Sequence, residues 1–221
     1  MKFAEYLTTP NFCCPKAPVH KVNAASAVII IRFILKVFSV KIIILVTFVS
    51  CNRTKNNMSK RVLVSGGAGF IGSHVTVELI QSGYEVVVAD DMSNCDMTCF
   101  EGVKKITGRE DIPFIKMNFC DLDAVNKLFS EFQIDAVIHF AAFKAVGESV
   151  SEPVKYYSNN LSSFLNVIEA AKTHGGCNVL FSSSATVYGE PDKLPVTEES
   201  PRQPATSPYG NTKQICEDIL R

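Results

Sequence analysis

The sequence has no excess of charge of either sign, because its 221 residues contain 22 Lys and Arg and 22 Asp and Glu. A balanced chain presents no field that would attract a polyanion, so nucleic acid is not expected as a partner. The chain is also poor in histidine, and its four His residues are scattered without the spacing of metal ligands. The sequence therefore predicts neither a nucleic-acid-binding protein nor a metal centre.

Paired cysteine motifs are absent as well. The eight cysteines include no C-x-x-C motif, and the closest pairs are Cys13 with Cys14 and Cys95 with Cys99. We therefore predict free thiols and a reducing, cytoplasmic setting.

Residues 1–57 contain no nucleotide-binding or catalytic motif, but they include a hydrophobic segment, 27–50, interrupted by Arg32, Lys36 and Lys41. The segment is long enough to cross a bilayer. Each central cation costs about 2.5–3.5 kcal/mol and each apolar residue returns about 0.3–0.6 kcal/mol, so the sum lies near zero. Two interpretations stay open: an upstream extension that a product starting at Met58 lacks, or a membrane anchor.

From residue 58 onward, short apolar runs alternate with segments of helical spacing. Continuously apolar strands that alternate with helices indicate a parallel sheet covered on both faces, so we predict an α/β, doubly wound fold for 58–221. Segment 91–112 is polar and is predicted to be a loop with a short helix. The predicted strands are 61–65, 85–90, 113–118, 135–140 and 178–182, and the predicted helices are 70–81, 122–131, 154–173 and one that begins at Pro208 with Ser207 as its N-cap.

A glycine-rich turn joins the first predicted strand to the first predicted helix. Gly66, Gly69 and Gly72 have the spacing of a dinucleotide-binding turn, in which residues without Cβ allow a tight bend and the close approach of a pyrophosphate. The helix N-terminus then faces the phosphates with its unpaired N–H groups. The sheet is accordingly predicted to be Rossmann-like and to bind a dinucleotide at the carboxyl ends of its strands.

Asp90 ends the second predicted strand, ~20 residues after the glycine turn, where a carboxylate binds the adenosine ribose hydroxyls. A carboxylate there repels the 2′-phosphate of NADP, and Asp91 adds further negative charge. The sequence therefore favours NAD as the cofactor.

Tyr209 and Lys213 are the strongest candidates for catalysis. They lie four residues apart on the last predicted helix, so both side chains lie on one face. The Lys213 ammonium and a cationic nicotinamide are expected to lower the pKa of Tyr209 and make it a general base. Ser184 leaves the fifth predicted strand beside the nicotinamide and can hydrogen-bond a reacting sugar oxygen.

The segment after the fourth predicted strand supplies a further cation. Lys144 is placed to meet a ribose hydroxyl or a phosphate of the cofactor. His139 lies inside an apolar run and is predicted to be a packed core histidine, not a ligand.

Four runs together resemble, closely and in order, those of the UDP-glucose 4-epimerases, which are extended short-chain dehydrogenases/reductases: 66–74, 139–149, 181–189 and 207–213. The resemblance covers 60–221 and corresponds to the N-terminal half of that family's fold. It implies interconversion of UDP-glucose and UDP-galactose through a 4-keto sugar, with tightly held NAD as the cofactor.

The resemblance also implies roles for individual residues. Tyr209 would be the base, Lys213 its electrostatic partner and a ribose ligand, and Lys144 a ligand of the nicotinamide ribose. Ser184 would be a hydrogen-bond donor or proton shuttle and would line the sugar with Ala185 and Thr186. The implied cofactor contacts are Gly66, Gly69, Phe70, Ile71, Gly72, Asp90, Asp91, Asn94, Asn118, Phe119, Phe140, Ala141, Lys144, Asn159, Tyr209 and Lys213.

The sequence departs from that family's pattern at Asn118, at Ala142, which replaces a frequent Gly, and at its C-terminal end. Asn118 stands where the family usually has Asp, so an amide carbonyl would bind the adenine amino group with lower affinity. The family's C-terminal substrate domain is absent, and we expect little or no epimerase activity from this chain alone. The full-length enzyme is expected to be a homodimer.

Two alternatives remain. One is another NAD-dependent nucleotide-sugar enzyme, either an epimerase for N-acetylated or uronate sugars or a 4,6-dehydratase. Dehydration needs an Asp-Glu pair after the Ser or Thr, whereas Ala185 and Thr186 follow Ser184 here. The other is a non-catalytic NAD-binding module, which membrane partition and the activity of the chain would distinguish.

Overall fold

The computed structural model describes residues 44–47, 60–197 and 199–221, with the backbone alone at 44–47. The described strands form one six-stranded sheet in the order β4-β3-β2-β5-β6-β1. These strands are β1 (Ile44–Thr47), β2 (Arg61–Ser65), β3 (Glu85–Asp90), β4 (Phe114–Lys116), β5 (Ala136–His139) and β6 (Asn178–Ser182). The described helices are α1 (Phe70–Gln81), α2 (Met97–Thr107), α3 (Leu122–Glu131), α4 (Val146–Ser151), α5 (Pro153–Thr173) and α6 (Pro208–Ile219), with a 3₁₀ helix at Ala185–Tyr188.

Strands β2 to β6 are parallel, and their alternating side chains build a core on each face of the sheet. Leu63 of β2 is in register with Val87 of β3 and Val137 of β5, and this face packs against α3 and α5. The neighbouring Val62 and Val64 point to the opposite face and pack against α1 and α2. The predicted doubly wound parallel sheet is confirmed for these five strands.

Most predicted bounds agree with the structure, since β2, β3, β6, α1 and α3 begin and end at the predicted residues. The predicted strand 113–118 is shortened to β4, because it pairs with β3 alone and the chain turns at Asn118, whose side chain accepts a hydrogen bond from the Cys120 N–H. The predicted strand 135–140 is shortened to β5, although the Phe140 N–H still donates to the Ser65 carbonyl.

The polar segment 91–112 contains a longer helix than the sequence led us to expect. Helix α2 has 11 residues, begins after Asp96, whose carboxylate accepts from the Thr98 N–H, and ends at Gly108 in the left-handed conformation. Both caps are ordinary helix signals. The short helix α4 and the 3₁₀ helix were not predicted.

Strand β1 is antiparallel to β6, with Ile44 opposite Ser182 and Thr47 opposite Val179. This strand belongs to the extension 1–57, outside the predicted parallel sheet of 58–221, and its apolar residues pair with the open N–H and C=O groups of β6. The rest of segment 27–50 and of the extension 1–57 lies outside the described residues. In the part of the chain that the structure describes, no helix has the length and apolarity needed to cross a bilayer.

Candidate active site

The carboxyl ends of β2, β3, β5 and β6 meet at one edge of the sheet, and the segments that leave them carry most of the predicted site residues. The glycine turn follows β2, Asp90 ends β3, the segment 140–145 follows β5, and Ser184 follows β6. Parallel strands place all of these at the crevice where open α/β sheets bind their ligands.

The glycine turn is held in a conformation that excludes side chains at two positions. Gly66 has φ +72°, and a Cβ there would lie 2.8 Å from the Ala141 backbone nitrogen. A Cβ on Gly72 would overlap the Gly66 carbonyl oxygen and come within 2.7 Å of the Gly67 Cα. Helix α1 then begins at Phe70, its N-cap Gly69 offers no side-chain cap, and its first turn has no acidic residue. This arrangement suits an anionic ligand at the helix N-terminus.

Asp90 is buried and ties the glycine turn to the loop that follows β3. Its Oδ2 accepts from the Ala68 N–H at 3.0 Å, and its Oδ1 accepts from the Met92 N–H at 3.0 Å. The Cys95 thiol also donates to Oδ1, at 3.6 Å. Because a carboxylate oxygen has about two acceptor sites, the remaining capacity lies on Oδ2. Asp91 and Asn94 lie beside it on the loop, half-buried and exposed respectively.

Asn118 and Phe119, at the end of β4, face in different directions. Asn118 is exposed, and its Oδ1 accepts from the Cys120 N–H at 2.8 Å. The Phe119 ring is buried, edge-on to His139 with 6.0 Å between ring centroids, so its side chain belongs to the core. If Phe119 contacts the cofactor as predicted, its backbone must make the contact, because its ring is buried in the core.

The segment 140–145 crosses the site between β5 and α4. The Phe140 N–H donates to the Ser65 carbonyl at 2.9 Å, which brings Ala141 against Gly66. Lys144 is exposed at the rim, and Asn159 of α5 donates to Asn160 at 3.1 Å.

Helix α6 presents Tyr209 and Lys213 to the end of β6. The helix begins as predicted, with the Ser207 hydroxyl accepting from the Gly210 N–H at 3.1 Å. Lys213 is buried, donates from Nζ to the Ser182 carbonyl at 2.9 Å and lies 5.9 Å from the centroid of the Tyr209 ring. The predicted catalytic residues are thus brought together at one end of the sheet.

Ser184 lies beside this pair and begins the 3₁₀ helix. Its Oγ accepts from the Thr186 N–H at 3.3 Å and from the Thr186 hydroxyl at 3.0 Å, and the hydroxyl lies close enough to Tyr209 to lower the pKa of the phenol. Ala185 is exposed next to it. The three predicted substrate contacts are therefore contiguous with Tyr209.

Burial shifts the pKa values of both Tyr209 and Lys213. Burial raises the pKa of Tyr209, and the hydrogen bond with Ser184 only partly opposes this. Burial lowers the pKa of Lys213 to about 8. Desolvation of the phenol therefore outweighs the Ser184 hydrogen bond, and the lowering expected from Lys213 together with a cationic nicotinamide stays a prediction.

His139 is a packed core residue, as predicted. Its Nδ1 lies 2.8 Å from the Ser65 hydroxyl, and its ring contacts Phe119, Phe164 and Phe181. Burial, followed by the charge of Lys213, lowers the pKa of His139 to about 3, so the ring is neutral at physiological pH.

Comparison with known proteins agrees with this geometry. Residues 63–221 match the family described as GDP-mannose 4,6 dehydratase. The chain belongs to this family.

Individual relatives are UDP-glucose 4-epimerases. The chain is 52% identical to the UDP-glucose 4-epimerase of Bacillus subtilis (strain 168) over 160 residues, and this match covers 72% of this chain and 47% of the relative. It is 47% identical to the UDP-glucose 4-epimerase of Caenorhabditis elegans over 168 residues, and this match covers 72% of this chain and 48% of the relative. A solved UDP-glucose 4-epimerase from Bifidobacterium longum, in complex with NAD+ and UDP, has 46% identity and a TM-score of 0.71 over 73% of this chain and 48% of that one. The chain spans about half the length of the curated relatives it matches.

In this member of the GDP-mannose 4,6-dehydratase family, sequence reasoning missed two buried polar residues at the site. Glu217 of α6 accepts from the Ser183 hydroxyl at 2.5 Å and lies 3.5 Å from Arg202. Its position four residues after Lys213 is a signal that could have revealed it, because it continues the face that carries Tyr209. Asn160, next to the predicted Asn159, has no comparable local signal.

Proposed function

We propose that this chain is the nucleotide-binding half of a UDP-glucose 4-epimerase, which interconverts UDP-glucose and UDP-galactose in galactose metabolism. One observation carries the proposal: Tyr209, Lys213 and Ser184 converge at the same sheet edge as an uncapped glycine turn. The site fits NAD, because α1 begins without an acidic residue and the buried Asp90 carboxylate keeps acceptor capacity on Oδ2. Bound NAD supplies a hydride acceptor that is regenerated in each cycle.

The residues of the chain handle the proton and the orientation of the sugar. Tyr209 takes the proton of the sugar 4-hydroxyl and returns it after the keto sugar has turned over. The Lys213 ammonium stabilises the phenolate, and Ser184 holds the reacting oxygen through a hydrogen bond. Because burial raises the pKa of Tyr209, the phenolate depends on positive charge at the site.

The residues after Ser184 favour epimerisation over dehydration. Ala185 and Thr186 occupy the positions where dehydration would need an acid and a base, and neither side chain titrates. Epimerases for N-acetylated or uronate sugars remain the alternative within this chemistry, and a non-catalytic NAD-binding module is the alternative outside it.

The test is to titrate the purified 221-residue chain with NAD and NADP by calorimetry and to follow conversion of UDP-galactose. We expect NAD to bind at least about tenfold more tightly than NADP, a difference of roughly 1.4 kcal/mol. Where turnover is measurable, Tyr209→Phe should keep NAD binding and lose roughly 10²- to 10⁴-fold in rate. Failure to bind NAD, or equal binding of NADP, would overturn the proposal.

We also propose that the complete enzyme pairs with a second copy of itself through α5 in the cytoplasm. Exposed apolar residues support the pairing: Val154 and Leu165 of α5 are 76% and 46% exposed, and Val150 of the neighbouring α4 is 63% exposed. The described cysteines are thiols, which suits a reducing compartment. Sedimentation of the NAD-loaded complete enzyme measures this association, and a monomer at micromolar concentration would argue against it.

Asn118→Asp should strengthen NAD binding. The Asn118 Oδ1 already accepts from the Cys120 N–H, so only its second, neutral acceptor site is left for the adenine amino group. Asp would offer a second, charged oxygen, and a charged hydrogen bond adds about 1 kcal/mol over a neutral one, or roughly fivefold in affinity. Titration with AMP, which contains the adenine but not the nicotinamide half of NAD, should show the same gain. An unchanged affinity for both ligands would place the adenine elsewhere.

A further inference from the structure

Asn160 is a buried amide whose hydrogen-bonding capacity is fully used. It is 3% exposed. Its Oδ1 accepts from the Phe143 N–H at 2.8 Å and from Asn159 Nδ2 at 3.1 Å. Its Nδ2 donates to the Phe143 carbonyl at 3.0 Å and to the Thr212 hydroxyl at 3.2 Å. An amide offers two donors and about two acceptor sites, so all of them are engaged.

The partners of Asn160 lie next to both lysines of the site. Phe143 directly precedes Lys144, and Thr212 directly precedes Lys213. The Thr212 hydroxyl in turn donates to the Tyr209 carbonyl at 2.7 Å. One side chain on α5 therefore connects the segment 140–145 with helix α6.

Only an amide can make this connection. The Asn160 amide accepts from the N–H of Phe143 and donates to its carbonyl, as a neighbouring strand would. Its second donor hydrogen binds Thr212 of α6. A carboxylate of the same shape would still accept from the Phe143 N–H, but it would face the Phe143 carbonyl with a second acceptor. Because the site is buried, such a mismatch cannot be relieved by water.

We propose that Asn160 is a positioning residue that fixes the spacing between Lys144 and Lys213, so that both can engage the ribose on the nicotinamide side of NAD. This inference rests on the proposed function, in which the two lysines bind that ribose. The backbone of the segment 140–145 is otherwise held at its ends, by the Ser65 carbonyl at Phe140 and by the Tyr156 hydroxyl at Ala145. Asn160 holds it next to Lys144.

The experiment compares ligands that do and do not contain this ribose. The full chain and Asn160→Asp are titrated with NAD, ADP-ribose and ADP. We expect Asn160→Asp to weaken NAD and ADP-ribose about tenfold, as for the loss of one to two hydrogen bonds, and to change ADP less than about twofold. A general loss of structure would weaken all three ligands alike.

Two further variants separate positioning from folding. Thr212→Val removes the hydrogen bond from Asn160 to α6 and keeps both hydrogen bonds to Phe143. It should therefore weaken NAD binding relative to ADP binding by a smaller factor than Asn160→Asp does. If Asn160→Asp does not fold, Thr212→Val alone tests the positioning role. Val167→Ala, a buried apolar residue of the same helix, should lower the thermal midpoint without changing the NAD to ADP ratio. If Asn160→Asp and Thr212→Val fold and keep the wild-type ratio of NAD to ADP affinity, the positioning role of Asn160 is overturned and the proposed function is not. A wild-type chain that binds ADP but gains nothing from the second ribose overturns the lysine contacts, and one that binds no NAD overturns the proposed function as well.

Discussion

Replacing Gly72 by alanine is expected to abolish NAD binding and to destabilise the chain by about 3 kcal/mol, the upper end of the usual cost of overpacking. The added Cβ would overlap the Gly66 carbonyl oxygen and press on the Gly67 Cα. Both are backbone atoms of the turn, so no side chain can rotate away to relieve the overlap. Helix α1 must move outward or the turn must open, and either change displaces the N–H groups that are proposed to face the pyrophosphate.

The measurement is chemical unfolding together with NAD titration, and the chain offers a matched control. Gly147 lies in helix α4, where a Cβ would meet no atom within 4 Å. Gly147→Ala should therefore keep NAD affinity and leave stability unchanged or raised by about 0.5–1 kcal/mol, since it removes freedom from the unfolded chain. Wild-type NAD affinity in Gly72→Ala would mean that the turn does not cradle the pyrophosphate.

The glycine turn shows how much of the fold the sequence determines locally. The apolar run of β2, the turn and the period of α1 are consecutive, so their boundaries could be predicted to the residue. Helix α2 was underestimated although its caps, Asp96 and Gly108, are visible in the sequence, because its polar surface hides the apolar period. Local pattern therefore determines the elements of this fold, and the comparisons confirm the resemblance that four local runs predicted.

The interior of the site could not be predicted in the same way. Asn160 reaches a partner 17 residues away and another 52 residues away, so its role appears only when α5, α6 and the segment after β5 are packed together. The protonation of Tyr209 is a similar case. Its spacing from Lys213 follows from helix geometry, but the sign of its pKa shift depends on how deeply the phenol is buried.

Lys213→Met is expected to remove function while changing how stability depends on pH. Burial lowers the pKa of Lys213 from 10.5 to about 8. The unfolded chain therefore holds this proton more tightly than the folded chain does. Below about pH 8 the folded protein carries the full cost of the buried ammonium, and this cost disappears as the pH rises from about 8 to 10.5.

The size of this effect is large for one residue. The gap between the two pKa values corresponds to roughly 3 kcal/mol at neutral pH. Against it stand the hydrogen bond to the Ser182 carbonyl, whose loss costs about 1–3 kcal/mol, and the contact with the Phe181 ring, worth about 0.5–2 kcal/mol. At pH 7 the variant should therefore lie close to wild type in stability, although it lacks a buried, hydrogen-bonded side chain.

Unfolding curves at several pH values separate these contributions. Between neutral pH and about pH 11, the free energy of unfolding of wild type should rise by roughly 3 kcal/mol relative to that of Lys213→Met. Other groups titrate equally in both proteins and cancel from this difference. Lys172→Met, which removes an exposed lysine of α5, should follow the wild-type curve. Parallel curves for wild type and Lys213→Met would show that the ammonium is hydrated in the folded chain. Divergent curves, with NAD binding lost in Lys213→Met alone, would show that the folded chain keeps a costly buried charge beside Tyr209, where the proposed reaction needs it to stabilise the phenolate.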